Sequence, residues 1–391
     1  MLRLHGRVRI ELPGRGRKDR SSIMIVLLAL IAGILLAYAN GANDNFKGVA
    51  TLYGSDTTTY RRALVWATVT TAAGSLTAVW LARELLERFS GKGIVPDALV
   101  AQNEFGVAVA LAAGATVMLA SRLGFPISTT HALVGAMVGA AGASSFAVDW
   151  HVLSSKLMAP LLLSPLIAIL VTAVLYQMFR RTRIAMGITK ETCLCSGREV
   201  VEVVPLGSGA MAMTRAEELS ITLGTNVSCR DHYAGNLVGI DARQSLDTMH
   251  FLSAGMVSFA RGLNDTPKIA ALLLIVPALN SLTASVVCGL AIAIGGWFGA
   301  KKIAEKLSHG ITEMNAGQGF SANLVTSVLV VFASRWGLPV STTHVSCGAL
   351  FGIGSATGQA NWKSIGQILL AWVTTLPAAA AIAWFVFSVL T

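Results

Sequence analysis

Apolar residues run through this chain in blocks too long for an ordinary soluble helix. Stretches such as 24–39, 64–82, 157–179, 269–300 and 368–390 carry no charged residue. About 18 apolar residues already span a bilayer as a helix. The first block extends through the uncharged residues 40–43. The block 269–300 is too long for one crossing and predicts two helices, turning between Pro277 and Asn280. The pattern predicts five segments in the first half, at 24–54, 62–82, 99–120, 124–146 and 155–178. Five more follow, at 248–279, 281–300, 316–334, 337–358 and 364–390. Between them, 180–247 is polar, of mixed charge and without a run of spanning length. The fold class is therefore an all-α polytopic membrane protein. Its parts are an arm (1–23), a first membrane repeat (24–179), a linker (180–247) and a second membrane repeat (248–391).

The word "repeat" rests on two duplicated polar interruptions. Residues 124–131 read GFPISTTH and residues 337–344 read GLPVSTTH. Residues 41–47 read GANDNFK and residues 262–268 read GLNDTPK. The order is the same in both halves: the Asn-Asp element first, the Ser-Thr-Thr-His element later. Polar, glycine-broken segments duplicated within apolar blocks point to a carrier that holds its substrate between two repeats.

Composition agrees. The chain of 391 residues is 54% hydrophobic and 13% charged, against about 25% charged in a soluble domain. Its formal charge is +10, and the arm before Met24 supplies half of it. Such an arm suits topology or anionic lipid rather than nucleic acid. Cys193, Cys195 and Cys229 fall in the linker, where reduced thiols are expected. A metal site with His232 is the alternative, on a spacing that fits no standard zinc pattern.

Short cytoplasmic loops carry the excess of Lys and Arg. Arg61 and Arg62 follow the first segment, and the loop after the second is balanced. In the second half the first turn is uncharged, while Lys301, Lys302 and Lys306 follow the second segment. Corresponding loops thus face opposite sides, so the repeats are expected to be inverted. Arg180, Arg181 and Arg183 then place the linker in the cytoplasm and the C-terminus outside. The basic arm disagrees with that orientation. Met24 opens the first apolar block and is expected to be the physiological start, with residues 1–23 an upstream misreading.

Within Gly-x-Pro-x-Ser-Thr-Thr-His, Gly and Pro break a helix, and Ser or Thr caps the apolar helix that follows. The expected structure is a re-entrant hairpin whose helix N-terminus opens at membrane depth. Backbone N–H groups and hydroxyls there suit a tetrahedral oxyanion. Neither octapeptide contains Arg or Lys, so neutral donors are expected to do the binding. His131 and His344 follow as structural or proton-coupling groups. Gly135 and Gly139, matched by Gly348 and Gly352, permit close helix packing.

Asp44 and Asp265 lie inside otherwise apolar segments, where a carboxylate is costly and points to function. With Asn43, Asn264 and backbone freed by unwinding at Gly41 and Gly262, they form a candidate cation site. Lys47 and Lys268, three positions on, offer an internal ion pair instead. Gln102, Asn103 and Glu104 in one half and Glu313, Asn315, Gln318 and Asn323 in the other are candidates to line the cavity or cap helices.

With both motif pairs in hand, the chain resembles the inorganic phosphate transporter (PiT) family, from about Met24 to the C-terminus. The resemblance implies two inverted repeats with broken helices, two re-entrant hairpins and about 10–12 crossings, commonly as a homodimer in the cell membrane. It implies a secondary symporter importing inorganic phosphate with sodium, by alternating access. Ser128, Thr129, Thr130, Ser341, Thr342 and Thr343 would hold phosphate, with Gln318 added. Asn43, Asp44, Asn264 and Asp265 would hold sodium. His131, His344, Lys47, Lys268, Gln102 and Asn315 are left to coupling or support. Here Asn45-Phe46-Lys47 and Thr266-Pro267-Lys268 follow the aspartates, where many relatives carry small residues. Proton-coupled phosphate or metal–phosphate transport is therefore an alternative, and the resemblance adds sulfate transport, since the family also contains sulfate carriers. An intramembrane enzyme built on Ser128 or Ser341 with His131 or His344 and an Asp is disfavoured, because catalysis needs one nucleophile and not a duplicated one. No P-loop is present, so ATP does not drive the process.

Overall fold

The computed structural model describes residues 15–91, 93–198, 200–206, 210–215, 219–233 and 237–391. The arm up to residue 14, with Arg3, Arg7 and Arg9, lies outside them. Ten principal helices carry the architecture: α1 (Arg15–Asp44), α2 (Tyr60–Leu81), α3 (Asn103–Leu123), α4 (Thr129–Gly142), α5 (Ala159–Ala185), α6 (Ala242–Leu273), α7 (Ser281–Gly299), α8 (Ala316–Arg335), α9 (Thr342–Thr357) and α10 (Trp362–Leu390). They match the ten expected segments. Among the described residues, seven helices are long and apolar enough to cross a membrane. The remaining three are instructive. Helix α6 is 32 residues long but carries Arg243, Asp247, Arg261, Asp265 and Lys268. Helices α4 and α9 have only 14 and 16 residues, too short to span at 1.5 Å per residue.

Those two short helices follow extended segments, and the sequence explains the break. Gly124 and Gly337 adopt left-handed backbone, with φ of 80° and 65°, which a side chain would oppose. The chain then runs extended to Ser128 and Ser341, whose hydroxyls accept from the His131 and His344 amides at 3.1 and 3.2 Å. Each serine is thus the N-cap of the helix that follows.

Packing pairs the halves. Helix α1 packs on α3, as α6 packs on α8; α1 packs on α7, as α6 packs on α2; α4 packs on α10, as α9 packs on α5. In these three sets each contact is matched when the two halves are exchanged. Gly139 and Gly352 seal the last two pairs. A Cβ at Gly139 would lie 2.0 Å from the Ala380 carbonyl oxygen, and one at Gly352 2.5 Å from that of Ile169. The turn expected after Pro277 is present, with Asn280 closing a capping box on Thr283 at the start of α7.

The linker differs from the membrane helices. It holds strands β1 (Thr192–Gly197), β2 (Val200–Leu206), β3 (Ala210–Arg215), β4 (Ser220–Thr225) and β5 (Leu237–Asp241). They form an antiparallel sheet in the order β4-β1-β5 and a β2-β3 pair. Alternation along β1 puts Cys193 and Cys195 on one buried face, against Cys229 of the short helix Asn226–His232. The expected reduced thiols are corrected here: Cys195 and Cys229 form a disulfide, and Cys193 is free. Bonding two of the three sulfurs to each other also removes the ligand set that a metal would need.

Candidate functional site

The two Asn-Asp elements do not fold alike. Helix α1 ends at Asp44, and residues 45–49 form turns before the short helix Ala50–Gly54. Helix α6 runs unbroken through Gly262–Lys268, with Pro267 inside it. The unwinding expected at Gly262 is therefore corrected. Close approach explains both glycines better: a Cβ at Gly41 would sit 2.0 Å from the Ile292 carbonyl oxygen, and one at Gly262 2.2 Å from that of Thr71.

These elements meet the two re-entrant tips in one buried cluster. Thr129 donates to Asp44 Oδ2 at 3.1 Å, and Thr342 donates to Asp265 Oδ2 at 3.3 Å. The next threonines turn to the opposite half. Lys268 Nζ donates to Thr130 Oγ1 at 2.9 Å and to the Val340 carbonyl at 2.8 Å. Lys47 Nζ donates to Thr343 Oγ1, to the Ile127 carbonyl at 3.0 Å, to Asn43 Oδ1 at 2.9 Å and to Asp44. Ile127 and Val340 occupy equivalent places in the two octapeptides, so both lysines make the same contact.

The asparagines clamp the tips. Asn43 donates to Ser121 Oγ and the Phe125 carbonyl, both at 3.0 Å, and accepts from the Ile127 amide at 3.1 Å. Asn264 donates to the Val340 carbonyl at 3.2 Å and accepts from Ser334 at 3.2 Å. Two residues that the sequence reading passed over hold the centre. Asn40 donates to Asp44 Oδ2 at 2.8 Å and reaches Asp265 Oδ2 at 3.4 Å. Arg261 donates to Asn40 Oδ1 at 2.7 Å, Asn45 Oδ1 at 3.1 Å and Thr71 Oγ1 at 3.3 Å, with Nε 3.8 Å from Asp265. A usable signal existed, since Arg261 is a charge inside an apolar segment, directly before the Gly-x-Asn-Asp element.

Asp44, Lys47, Arg261, Asp265 and Lys268 are the only buried Asp, Glu, Lys or Arg side chains among the described residues. All five belong to this cluster. The expectation that no fixed cation reaches the tips is thereby corrected: the octapeptides contain none, but two lysines fold onto them.

Other candidates lie around the cluster. Ser128 and Ser341 are spent as N-caps. His131 and His344 stack edge-on with ring centroids 4.4 Å apart, and His344 also packs on Trp372. His344 Nδ1 lies 3.4 Å from the Leu161 carbonyl, and Trp372 donates to the Pro126 carbonyl of the first tip at 3.0 Å. Gln318 and Asn315 form a capping box at the start of α8, and Gln318 also donates to the Tyr176 hydroxyl at 3.3 Å. Their hydrogen bonds assign them to helix capping, not to the tips. Gln102 is the half-buried N-cap position of α3, without a side-chain cap bond. Asn323 bonds Thr51 at 2.8 Å, next to His250.

Comparison with known proteins gives the family and the fold. A family model described as "Phosphate transporter family" matches residues 40–383. The chain is 27% identical to the "Probable low-affinity inorganic phosphate transporter" of Bacillus subtilis, covering 94% of this chain and 98% of that one. It is 26% identical to "Inorganic phosphate transporter 2-1, chloroplastic" of Arabidopsis thaliana, covering 90% and 70%. Its fold matches that of a solved structure titled "The sodium-dependent phosphate transporter", with a TM-score of 0.71 and 21% identity over 94% of this chain and 99% of the other.

Proposed function

The chain belongs to the phosphate transporter family, and from that premise we propose that it imports inorganic phosphate across the cell membrane as an ion-coupled symporter. It is a multi-pass membrane protein of a transporter family, not an enzyme. One observation carries the finer reading. The two Ser-Thr-Thr tips, from opposite halves of the chain, converge on one buried cluster with both Asn-Asp elements.

Such a site alternates between sides when one half moves against the other. The matched packing of the halves supports inverted repeats rocking about this cluster. Phosphate would lie between the tips, taking donors from Thr129, Thr130, Thr342, Thr343 and the amides at the starts of α4 and α9. An arrangement of many donors around one point favours a tetrahedral oxyanion. A homodimer completes the reading.

Two driving ions are compatible with a symporter of this design. Sodium would use Asn43, Asp44, Asn264 and Asp265; protons are the alternative. The test is uptake of labelled phosphate by the purified protein in liposomes, under an imposed sodium gradient and then a proton gradient. Accumulation above the equilibrium level under either gradient, with unlabelled phosphate competing and sulfate not, supports the proposal. Binding without accumulation, or equal competition by sulfate, overturns it.

A further inference from the structure

The oxygens around Asp44 do not fit a free sodium ion, because an ammonium group already sits among them. Lys47 Nζ is surrounded by Asn43 Oδ1, an Asp44 carboxylate oxygen, the Ile127 carbonyl and Thr343 Oγ1. A carboxylate, an amide oxygen, a backbone carbonyl and a hydroxyl together make the shell that a hard monovalent cation seeks. The other Asp44 oxygen accepts from Asn40 and Thr129. Asn43 Oδ1 additionally accepts from the Ile127 amide. A sodium ion there would have to expel the lysine head from a fully buried site.

The second half repeats the arrangement. Lys268 Nζ is held by Thr130 Oγ1, the Val340 carbonyl and, at 3.6 Å, an Asp265 oxygen, with the Phe89 ring 5.4 Å away. Each lysine grows from one half of the chain and bonds a tip threonine of the other.

Charge points the same way. The buried cluster holds two carboxylates, Asp44 and Asp265, and three cations, Lys47, Arg261 and Lys268. One positive charge is left over when all five are ionised. One monovalent anion would neutralise the site. Two added sodium ions would instead leave a large uncompensated charge where water does not screen it.

We propose that Lys47 and Lys268 are the built-in cations of the transport site. Their ammonium groups take the places of coupling sodium ions and supply the counter-charge for a phosphate monoanion held between the tips, so phosphate is carried without sodium. This rests on the phosphate reading of the tips. It makes both lysines substrate ligands and sets the ion requirement of this chain apart from that of a sodium-dependent relative.

The experiment uses the full chain in liposomes, with labelled inorganic phosphate inside or outside and choline replacing sodium on both sides. The wild type is expected to move phosphate at the same rate with choline as with sodium, and to take up no labelled sodium. Uptake that falls about tenfold or more in choline, or phosphate-driven sodium entry, overturns the inference while leaving phosphate transport intact. No phosphate movement in either medium defeats the functional reading itself, and this inference with it. The Lys47→Ser and Lys268→Ser variants add a second readout. Each is expected to lose about tenfold or more of its uptake in choline, and to recover part of it when sodium is supplied to fill the vacated oxygens. Undiminished uptake in choline by both variants removes the lysines from the site. The wild-type comparison stands even where a variant fails to fold.

Discussion

Lys268 and Thr130 are 138 positions apart in the chain and meet through a 2.9 Å hydrogen bond at the centre of the protein. The contact has a partner in Lys47 and Thr343, 296 positions apart. The two together tie each half to the re-entrant tip of the other. Local folding alone cannot produce such a site. It exists only when both halves are packed, which is what a substrate site that opens alternately to two sides requires.

Arg261 is the hub of the second half, and both arms of its planar fork are engaged: one reaches Asn40, the other Asn45 and Thr71. Lysine would keep the charge but not the fork. Arg261→Lys is expected to leave insertion intact and to lower phosphate uptake about tenfold, because Asn40 loses the bond that holds it between the two aspartates. Arg261→Ala removes the charge as well and leaves Asp265 short of a partner, a change of about 3–5 kcal/mol in a buried pair. Thermal unfolding in detergent separates the two effects: Arg261→Lys should melt near the wild type and Arg261→Ala well below it.

Gly41 and Gly262 set the distance between helices rather than freeing backbone. Their absent Cβ atoms would fall 2.0 and 2.2 Å from backbone oxygens of α7 and α2, which no rotamer change can relieve. Gly41→Ala and Gly262→Ala are each expected to cost about 1–3 kcal/mol or more as the helix pairs are forced apart. Gly366→Ala in α10 is the control, since nothing lies within 4 Å of its added carbon. There alanine should be neutral or stabilise by about 0.5–1 kcal/mol. Melting temperatures of the three variants check the ordering.

How much of this was legible in the sequence follows from what each residue does locally. The ten segments, the hairpin breaks at Gly124 and Gly337 and the serine caps are short-range features, written in periodicity and helix-stop chemistry. That both duplicated elements serve one site between the halves was implied by the motifs, but the bonds of Thr129 to Asp44 and of Thr342 to Asp265 were not. The reach of Lys47 to Thr343 was not, because it depends on how α1 meets α9. Sequence spacing sets each lysine only against its own aspartate, three positions away, and the octapeptides themselves contain no cation. Arg261 carries a signal of its own, a charge within an apolar helix. Gln318 looked like a cavity residue because amides suit both roles; its position three residues after Asn315 is the capping-box spacing, and the helix start claimed it. The linker gave no warning of its sheet, since its strands carry no long apolar alternation.

The linker disulfide joins Cys195 and Cys229, 34 positions apart in the chain. A bridge over that length stabilises by about 3–4 kcal/mol through the unfolded chain. Cys193 sits beside it, and burial pushes its thiol pKa up, with the Asp241 carboxylate pushing further. At neutral pH it stays protonated and a poor nucleophile. Alkylation of the native, unreduced protein should therefore leave Cys193, Cys195 and Cys229 unlabelled, and reduction should release two reactive linker thiols by mass. The Cys195→Ser/Cys229→Ser double variant is expected to lose protease resistance in the linker while phosphate uptake stays within about twofold, since no residue of the buried cluster lies in the linker.

The serines and threonines of the two tips have different work, and substitution should separate them. Ser128 and Ser341 accept from the His131 and His344 amides and cap α4 and α9. Alanine at either position removes one cap bond, a loss of about 1 kcal/mol, and leaves the hydroxyls that face the cluster untouched. Thr130 and Thr343 instead receive the lysine heads at the point where the halves meet. Valine has the shape of threonine but cannot accept a hydrogen bond, so Thr130→Val and Thr343→Val leave a buried ammonium short of one acceptor, at about 1–3 kcal/mol each. The serine variants are expected to melt earlier with an apparent KM for phosphate close to the wild type. The threonine variants are expected to melt at least as early, because the unmet ammonium costs stability, and in addition to raise KM about fivefold or more. Equal effects on KM from both pairs would mean that phosphate is held by the whole tip and not by the threonines that the lysines address.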